Sequence, residues 1–514
     1  MMTMLDMINK NDKSKVFIRY FDADITYNDF LMYTNGLASQ FSMYVDPHDI
    51  IAMISENIPQ FIMVQYASWK NKCIFVPLSP LDSLNEIRDK ILFLNPKILI
   101  ISSEFKNSFS ELEKIAKLKV LYTDPETFSK LPENMKNKFL NNEHIEELNL
   151  RKKPEFISYN LDIEDTAMMV FTSGTSGRQK AAVIKHKNIY AASYIYKEWF
   201  NVNERDINLA IAPFFHITGL IFGISLSVIS GSTIVINYRF LPENTLNDIT
   251  GKKTTMTMFV ATAYRAMVNS WKNIDDIGEK LSSMRIWSAG GMPMPEKTEH
   301  DWKDMTGQWI YMAYGLTEST SPVTLWEYPY TGDLKLYKNI VSCGKTALYT
   351  TIKRGKYGEL MVKGPQIVES YYHNKEDTKN TFKKNGMKTG DIFTTDNLGY
   401  LYIIDRKKDL IDISGYKVWP TEIENVIRKN LKVEDVIVVP VKDEYKGEVP
   451  MAYVKLLNEN DENDETKNEI IELCRNNMAK YKIPKDILFI DRIPMNASGK
   501  IKRSDIFKIV GEKI

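Results

Sequence analysis

Cysteine is scarce in this chain: Cys73, Cys343 and Cys474 are the three among 514 residues, and they lie far apart. Their spacing matches neither a disulfide framework nor a metal-ligand set, and it fits a reducing compartment. Net charge is almost absent too, with 67 Lys and Arg against 66 Asp and Glu. No global field therefore draws the protein to nucleic acid or an acidic surface, and any site for a polyanion must be local. The first residues, MMTMLDMINK, lack the unbroken apolar run of a signal peptide. One segment, 209–229, is apolar enough to raise the question of a membrane span, but Pro213, His216, Gly219 and several serines interrupt it. It reads as a buried strand, loop and helix. The expectation is a cytoplasmic protein with no nucleic-acid partner and no transmembrane segment, a monomer or homodimer.

What is present is a pattern. A chain of 514 residues exceeds one ordinary core, so two or more packed units are expected. From 50 to 102 the runs IIAMIS, PQFIMVQYASWK, CIFVPLS, LNEIRDKILFL and KILIIS alternate as strand and helix. Runs apolar on both faces imply covered strands and a largely parallel sheet. INLAIAP, STIVIN, TMTMFV, MRIWSA and WIYMAY continue the theme. After Lys345, short turn spacings read as β-hairpins, and from Asp405 a charged segment leads into helix, strand, strand and helix. The fold class expected is a large N-terminal α/β domain, residues 1–404, with parallel sheets flanked by helices and a β-rich subregion. A small α+β C-terminal domain, 405–514, follows a hinge between Ile404 and Lys408. The charged run 458–467 reads as a solvated loop.

The segment FTSGTSGRQK, Phe171 to Lys180, follows the apolar strand TAMMVF. Glycines permit close backbone approach, successive amides can form an anion nest, and the hydroxyls with Lys180 add donors for phosphate oxygens. It is not a Walker A loop, because Gly174 and Gly177 are two residues apart and Ala181 follows Lys180. On this segment alone a plain Ser/Gly turn stays open as the alternative.

Further segments occur in order: Ile25-Thr-Tyr27, Pro213-Phe-Phe-His216, Ala289-Gly-Gly291, Tyr314-Gly-Leu-Thr-Glu318, Thr389-Gly-Asp391, Asp405-Arg406, Gly415-Tyr-Lys417 and Asn496-Ala-Ser-Gly-Lys500. With these, the chain from about Ile25 to Ser504 resembles the adenylate-forming superfamily of acyl-CoA synthetases, luciferase and adenylation domains. The resemblance implies ATP, Mg²⁺ and coenzyme A as cofactor and co-substrates. It implies that Thr172, Ser173, Gly174, Thr175, Ser176, Gly177 and Lys180 hold the β- and γ-phosphates. Tyr314 and Gly315 lie by adenine, Thr317 takes the α-phosphate, and Glu318 with Thr175 serves the metal. Gly290, Gly291 and Met292 lie along adenine and the acyl pocket, with Phe215, His216 and Ala313 on the pocket wall. Asp391 and Arg406 bind the ribose, Lys408 is the hinge, and Gly415 with Lys417 flanks the pantetheine tunnel. Lys500 is the catalytic cation, acting with Lys180, Thr317 and Glu318.

The chain departs from the family pattern at Gly177-Arg-Gln-Lys-Ala181, where a proline is usual, and it carries Met292 and Ala313 where smaller residues are common. Both bulkier residues should narrow the acyl pocket toward short or medium acids. His216 has no metal-ligand partner near it in sequence and reads equally as a packed core histidine. The pocket lacks the aspartate that amino-acid-activating relatives use, and no carrier domain follows Lys500. The function expected is therefore a carboxylate:CoA ligase of fatty-acid type. The alternatives are loading of a carrier protein and a catalytically silent nucleotide-binding homologue.

Overall fold

The computed structural model describes residues 1–135, 145–172, 180–413, 416–443, 447–494 and 503–506. The chain folds as two compact units. One comprises Met1–Gly332, Gly344–Thr351 and Lys363–Met387; the other comprises Asp333–Cys343, Ile352–Val362 and Lys388–Ile514.

The first unit is built on two sheets. In the six-stranded sheet, Ile50–Ile54, Ile74–Leu78, Ile98–Ser102, Lys119–Thr123 and Thr166–Thr172 run parallel, and Lys180–Lys185 closes the edge antiparallel. Ile50–Ile54 and Ile98–Ser102 are buried at every position, as their continuous apolar runs imply. In the nine-stranded sheet, parallel pairing runs from Val16–Tyr20 through Thr233–Ile236, Ile207–Ala210, Met256–Phe259 and Ile286–Gly290 to Tyr311–Leu316. Antiparallel strands flank this run at both ends.

All twelve residues of the helix Pro59–Lys70 are buried. A helix buried around its whole circumference needs cover on every side, and this one lies between the sheets. Phe61 packs on Phe75 of the first sheet at 5.3 Å and on Phe214, beyond a strand of the second, at 5.5 Å. The segment 209–229 is a strand end and loop followed by a π-helical turn, Gly219–Ser225, that runs into Leu226–Ser230. Among the described residues no helix is long and apolar enough to cross a membrane.

The second unit contains a hairpin of Leu401–Arg406 with the strand Gly386–Thr395 from Lys388 onward, and a sheet whose centre is the long hairpin Val433–Asp443/Gly447–Leu456. The helices Pro420–Ile427 and Asp464–Asn477 contribute Ile423, Ile427, Ile470 and Cys474 to one apolar core with that sheet. The run 458–467 is not a loop throughout. Asn463 caps the helix Asp464–Asn477 by accepting from the Thr466 N–H, and Asp464 and Glu465 occupy its first turn, where the helix dipole favours acids.

Candidate active site

The carboxyl ends of parallel strands are where an open α/β sheet exposes loops and unpaired amides to a ligand. Three of the segments singled out in the sequence end there on the nine-stranded sheet. Ile286–Gly290 and Tyr311–Leu316 are neighbours, with Gly290 opposite Ala313. Their backbones approach so closely that a Cβ on Gly290 would lie 2.8 Å from the Ala313 carbonyl oxygen. Gly291 follows at φ +83°, a conformation that favours glycine, and turns the chain outward to a half-buried Met292. Phe215 and His216 lie beyond Ile207–Ala210 on the same sheet, Phe215 buried and His216 half-buried.

The loop carrying Phe215 is held by a residue the sequence reading missed. Buried Asn57 accepts from the Phe214 N–H at 2.7 Å and donates to the Ala212 carbonyl at 3.1 Å. Nothing local marks Asn57, because both partners are supplied by another sheet.

Tyr314 to Glu318 occupy a strand end and a 3₁₀ turn, Thr317–Ser319. The Ser319 hydroxyl accepts from the Leu316 N–H at 2.8 Å and lies 3.0 Å from the Ser321 carbonyl. Thr320 and Ser321 then adopt φ of +49° and +91°, costly for residues with a Cβ. Tyr196 braces the strained Ser321, their hydroxyls 2.8 Å apart. A turn so constrained presents Thr317 and Glu318 with little freedom.

Thr172 and Lys180 face each other in register at the end of the first sheet. Lys180 forms an ion pair with Asp377 at 3.1 Å and lies over the Tyr371 ring, 5.4 Å from its centre. Burial would raise the Asp377 carboxyl, but hydrogen bonds from Lys180 and Asn374 outweigh it and hold the group below its ordinary range.

The same tyrosine reaches the second sheet: its hydroxyl donates to Glu318 Oε1 at 2.8 Å. Burial first, and then the Glu318 charge, push the Tyr371 phenol far above its ordinary value, so it stays a donor. The surrounding segment links both sheets as well. Val368 N–H donates to the Glu318 carbonyl at 2.9 Å, and Tyr372 N–H to the Ala181 carbonyl at 2.8 Å. Tyr371 thus joins the lysine that ends the Ser/Gly loop to the carboxylate of the 3₁₀ turn.

Glu318 Oε2 has no hydrogen-bond or ion-pair partner among the described residues. One carboxylate oxygen held and one available suits Mg²⁺, a hard cation that otherwise keeps waters and phosphate oxygens. Removing the phenol alone tests the arrangement. Tyr371→Phe keeps the ring over Lys180 but deletes a hydrogen bond to a charged acceptor, a loss of about 2 kcal/mol. We expect acid-dependent pyrophosphate release to fall about tenfold at subsaturating MgATP, with little change in thermal midpoint. Unchanged kinetics across a MgATP titration would remove Tyr371 from the site.

In the second unit, Asp391 and Arg406 are register partners on the hairpin, Arg406 Nε 3.4 Å from Asp391 Oδ1. Asp391 is buried, not a solvated surface charge, and its backbone N–H donates to the Thr389 hydroxyl at 3.1 Å. Lys408 falls in the 3₁₀ turn Lys407–Asp409. Ser173, Gly174, Thr175, Ser176, Gly177, Gly415 and Lys500 lie outside the described residues, as do the side chains of Lys408 and Lys417.

Residues 6–372 match the family described as AMP-binding enzyme, and residues 422–500 match the AMP-binding enzyme C-terminal domain. A probable CoA ligase of Humulus lupulus is 30% identical over 92% of this chain and 86% of its own length. A 4-coumarate–CoA ligase-like protein of Arabidopsis thaliana is 28% identical over 91% of this chain and 84% of its own. The solved o-succinylbenzoate CoA synthetase of Bacillus subtilis, in complex with its acyl-adenylate intermediate, superposes with a TM-score of 0.82 at 25% identity, over 98% of this chain and 97% of that one. With a family match spanning most of its length, the chain belongs to the AMP-binding enzymes of the adenylate-forming superfamily and is an ATP-dependent acid–thiol ligase.

Proposed function

We propose that the chain converts a carboxylic acid and MgATP to an acyl-adenylate and pyrophosphate, then transfers the acyl group to the thiol of coenzyme A with release of AMP. The observation that carries this reading is the link through Tyr371 between Lys180 and Glu318. It joins a phosphate-type cation on the edge strand of one sheet to a metal-type carboxylate at a strand end of the other. The relatives' names support the acceptor, since each is called a CoA ligase or CoA synthetase.

In the first step a carboxylate oxygen attacks the α-phosphorus and the bond to the β-phosphate breaks. Lys180, with Thr172 and the loop between them, holds the departing pyrophosphate, and Thr317 orients the α-phosphate. Mg²⁺ bound at Glu318 would supply neutralisation of the triphosphate charge. The Lys500 ammonium offsets the repulsion between carboxylate and phosphate as they approach. In the second step the thiol sulfur attacks the acyl carbon, the bond to AMP breaks, and the thiol proton passes to solvent or buffer. Lys408 is read as the hinge between two working orientations of the C-terminal domain, 405–514, on the large domain, 1–404.

The acid is read as short or medium in chain length. Met292, half-buried after the Gly290-Gly291 turn, would narrow an acyl pocket there, and Ala313 is buried opposite Gly290. The relatives' own names point to acids as unlike as 4-coumarate and o-succinylbenzoate, so this preference rests on this chain's residues.

The test is pyrophosphate release with MgATP across acids from acetate to palmitate, together with aryl and branched acids, with and without CoA. Turnover requiring both acid and CoA is expected, with a maximum below the long-chain acids. Release indifferent to CoA would move the reading to loading of a carrier protein. ATP binding without acid-dependent release for any acid would identify a silent homologue, the outcome that the altered Arg178-Gln179 loop makes worth testing.

A further inference from the structure

One charge beside Lys180 has no part in the reaction as read above. Asp377 Oδ2 lies 3.1 Å from the Lys180 ammonium, and both residues belong to the first unit. Other groups place this carboxylate. Asp377 is the third residue of the helix Lys375–Thr381, whose cap is Asn374. Its N–H donates to Asn374 Oδ1 at 3.0 Å, and Asn374 Nδ2 donates back to Asp377 Oδ2 at 2.8 Å. The helix is tied in turn to the segment that links the two sheets. Tyr371 N–H donates to the Thr378 hydroxyl at 3.0 Å, and that hydroxyl donates to the Asn374 carbonyl at 2.6 Å. Tyr371 also pairs with Ala182, two residues after Lys180, across an isolated β-bridge.

Lys180 likewise has contacts besides Asp377. Its backbone pairs in register with Thr172, and its ammonium rests over the Tyr371 ring. Each partner is therefore placed by groups outside the pair, and what the pair itself changes is charge. A carboxylate fixed 3.1 Å from an ammonium cancels much of its attraction for any third group. The two side chains are 16% and 35% exposed, so the effect is that of a partly screened pair and not of a buried one. Asp377 stays ionised at neutral pH, because the hydrogen bonds from Lys180 and Asn374 outweigh its burial and hold the carboxyl below its ordinary range. A triphosphate or a pyrophosphate at Lys180 must then share the lysine with a carboxylate of its own sign.

We infer that Asp377 is a counter-ion that limits the grip of Lys180 on phosphate oxygens: it weakens the binding of MgATP and of the leaving pyrophosphate alike, and it acts only through Lys180. This rests on the reading of Lys180 as the cation that holds the departing pyrophosphate, and it adds what restrains that hold. The consequence falls on the product. A lysine with no counter-ion would bind substrate and leaving group with the same added strength, and uniform binding of that kind lowers KM without raising kcat. Pyrophosphate that lingers at the lysine also reverses the first half-reaction.

The test uses full-length Asp377→Asn, Asp377→Glu, Lys180→Met and the double variant Asp377→Asn/Lys180→Met. Asparagine keeps the shape of the side chain and an acceptor for Asn374, so the thermal midpoint should stay near that of the parent. Three quantities are measured by acid-dependent AMP formation: kcat, KM for MgATP, and the inhibition constant of added pyrophosphate. Asp377→Asn is expected to lower both KM for MgATP and the pyrophosphate inhibition constant by about two- to fivefold, with no rise in kcat. Asp377→Glu should return both toward the parental values. In the double variant the effect of Asp377→Asn should vanish, because the lysine through which it acts is gone. Unchanged or weaker binding of the two ligands by Asp377→Asn would overturn the inference, as would the same gain in affinity when Lys180 is absent. Lys180→Met with parental KM for MgATP and parental pyrophosphate inhibition would instead remove the reading of Lys180 on which the inference rests.

Discussion

Lys500→Ala is expected to lower acid-dependent pyrophosphate release by about 1,000-fold or more, while thioester formation from a supplied acyl-adenylate continues. A carboxylate must approach an already anionic α-phosphate, and negative charge accumulates on the oxygens between them as the new bond forms. An ammonium placed between the two groups offsets that repulsion in the ground state and gains strength in the transition state, so its loss falls on kcat. No such meeting of anions occurs in the second half-reaction, where a thiol attacks an acyl carbon already activated by AMP. The two half-reactions are measured separately, by acid-dependent isotope exchange between pyrophosphate and ATP, and by thioester formation from synthetic acyl-adenylate. Comparable loss in both would mean that Lys500 supports the fold or binds AMP in common to both steps, and the separation of roles would be abandoned.

The parts of this site that the sequence made legible are those carried by short, continuous patterns. Ile50–Ile54 and Ile98–Ser102 announce themselves as strands because both faces are buried and every residue but the last, Ser102, is apolar. Gly290 and Gly315 stand inside motifs whose glycines the backbone contacts now explain. Tyr371 was not legible, since its hydrogen-bond partner Glu318 is 53 residues away and nothing in the surrounding SYYHN distinguishes one tyrosine from the next. Asn57 escaped for the same reason, bonding across 157 residues to Phe214. The acidic run 458–467 misled because charge density signals exposure without separating a loop from the first turn of a helix, and the deciding feature is the cap made by Asn463. Arg503 read as one more basic residue in a tail, and only the packing of helix against strand turns it into a buried fork on Glu424.

Gly315→Ala should be the most damaging single methyl group in the large unit. A Cβ at Gly315 would lie 1.4 Å from the Ser321 carbonyl oxygen and 2.5 Å from its carbon. Both contacts are backbone, so no side-chain rotamer relieves them. The strands cannot slide apart freely either, because a bulge between Tyr314 and Gly315 sets their register, and Ser321 is held at φ +91° by its contact with Tyr196. The strain must pass into the turn Thr317–Ser319, displacing Thr317 and Glu318, or into Ser321–Leu325 behind it. We expect a loss of about 3 kcal/mol or more, together with a fall of about 100-fold in adenylate formation among the molecules that remain folded. Gly251→Ala is the control. Gly251 lies in the helix Pro242–Lys252 with nothing within 4 Å of an added Cβ, so alanine there should leave activity unchanged and add up to about 1 kcal/mol of stability. Thermal unfolding and pyrophosphate release on the two variants side by side decide the matter. A Gly315→Ala protein with parental midpoint and turnover would show that the bulge yields, and that the turn does not owe its placement of Glu318 to the missing side chain.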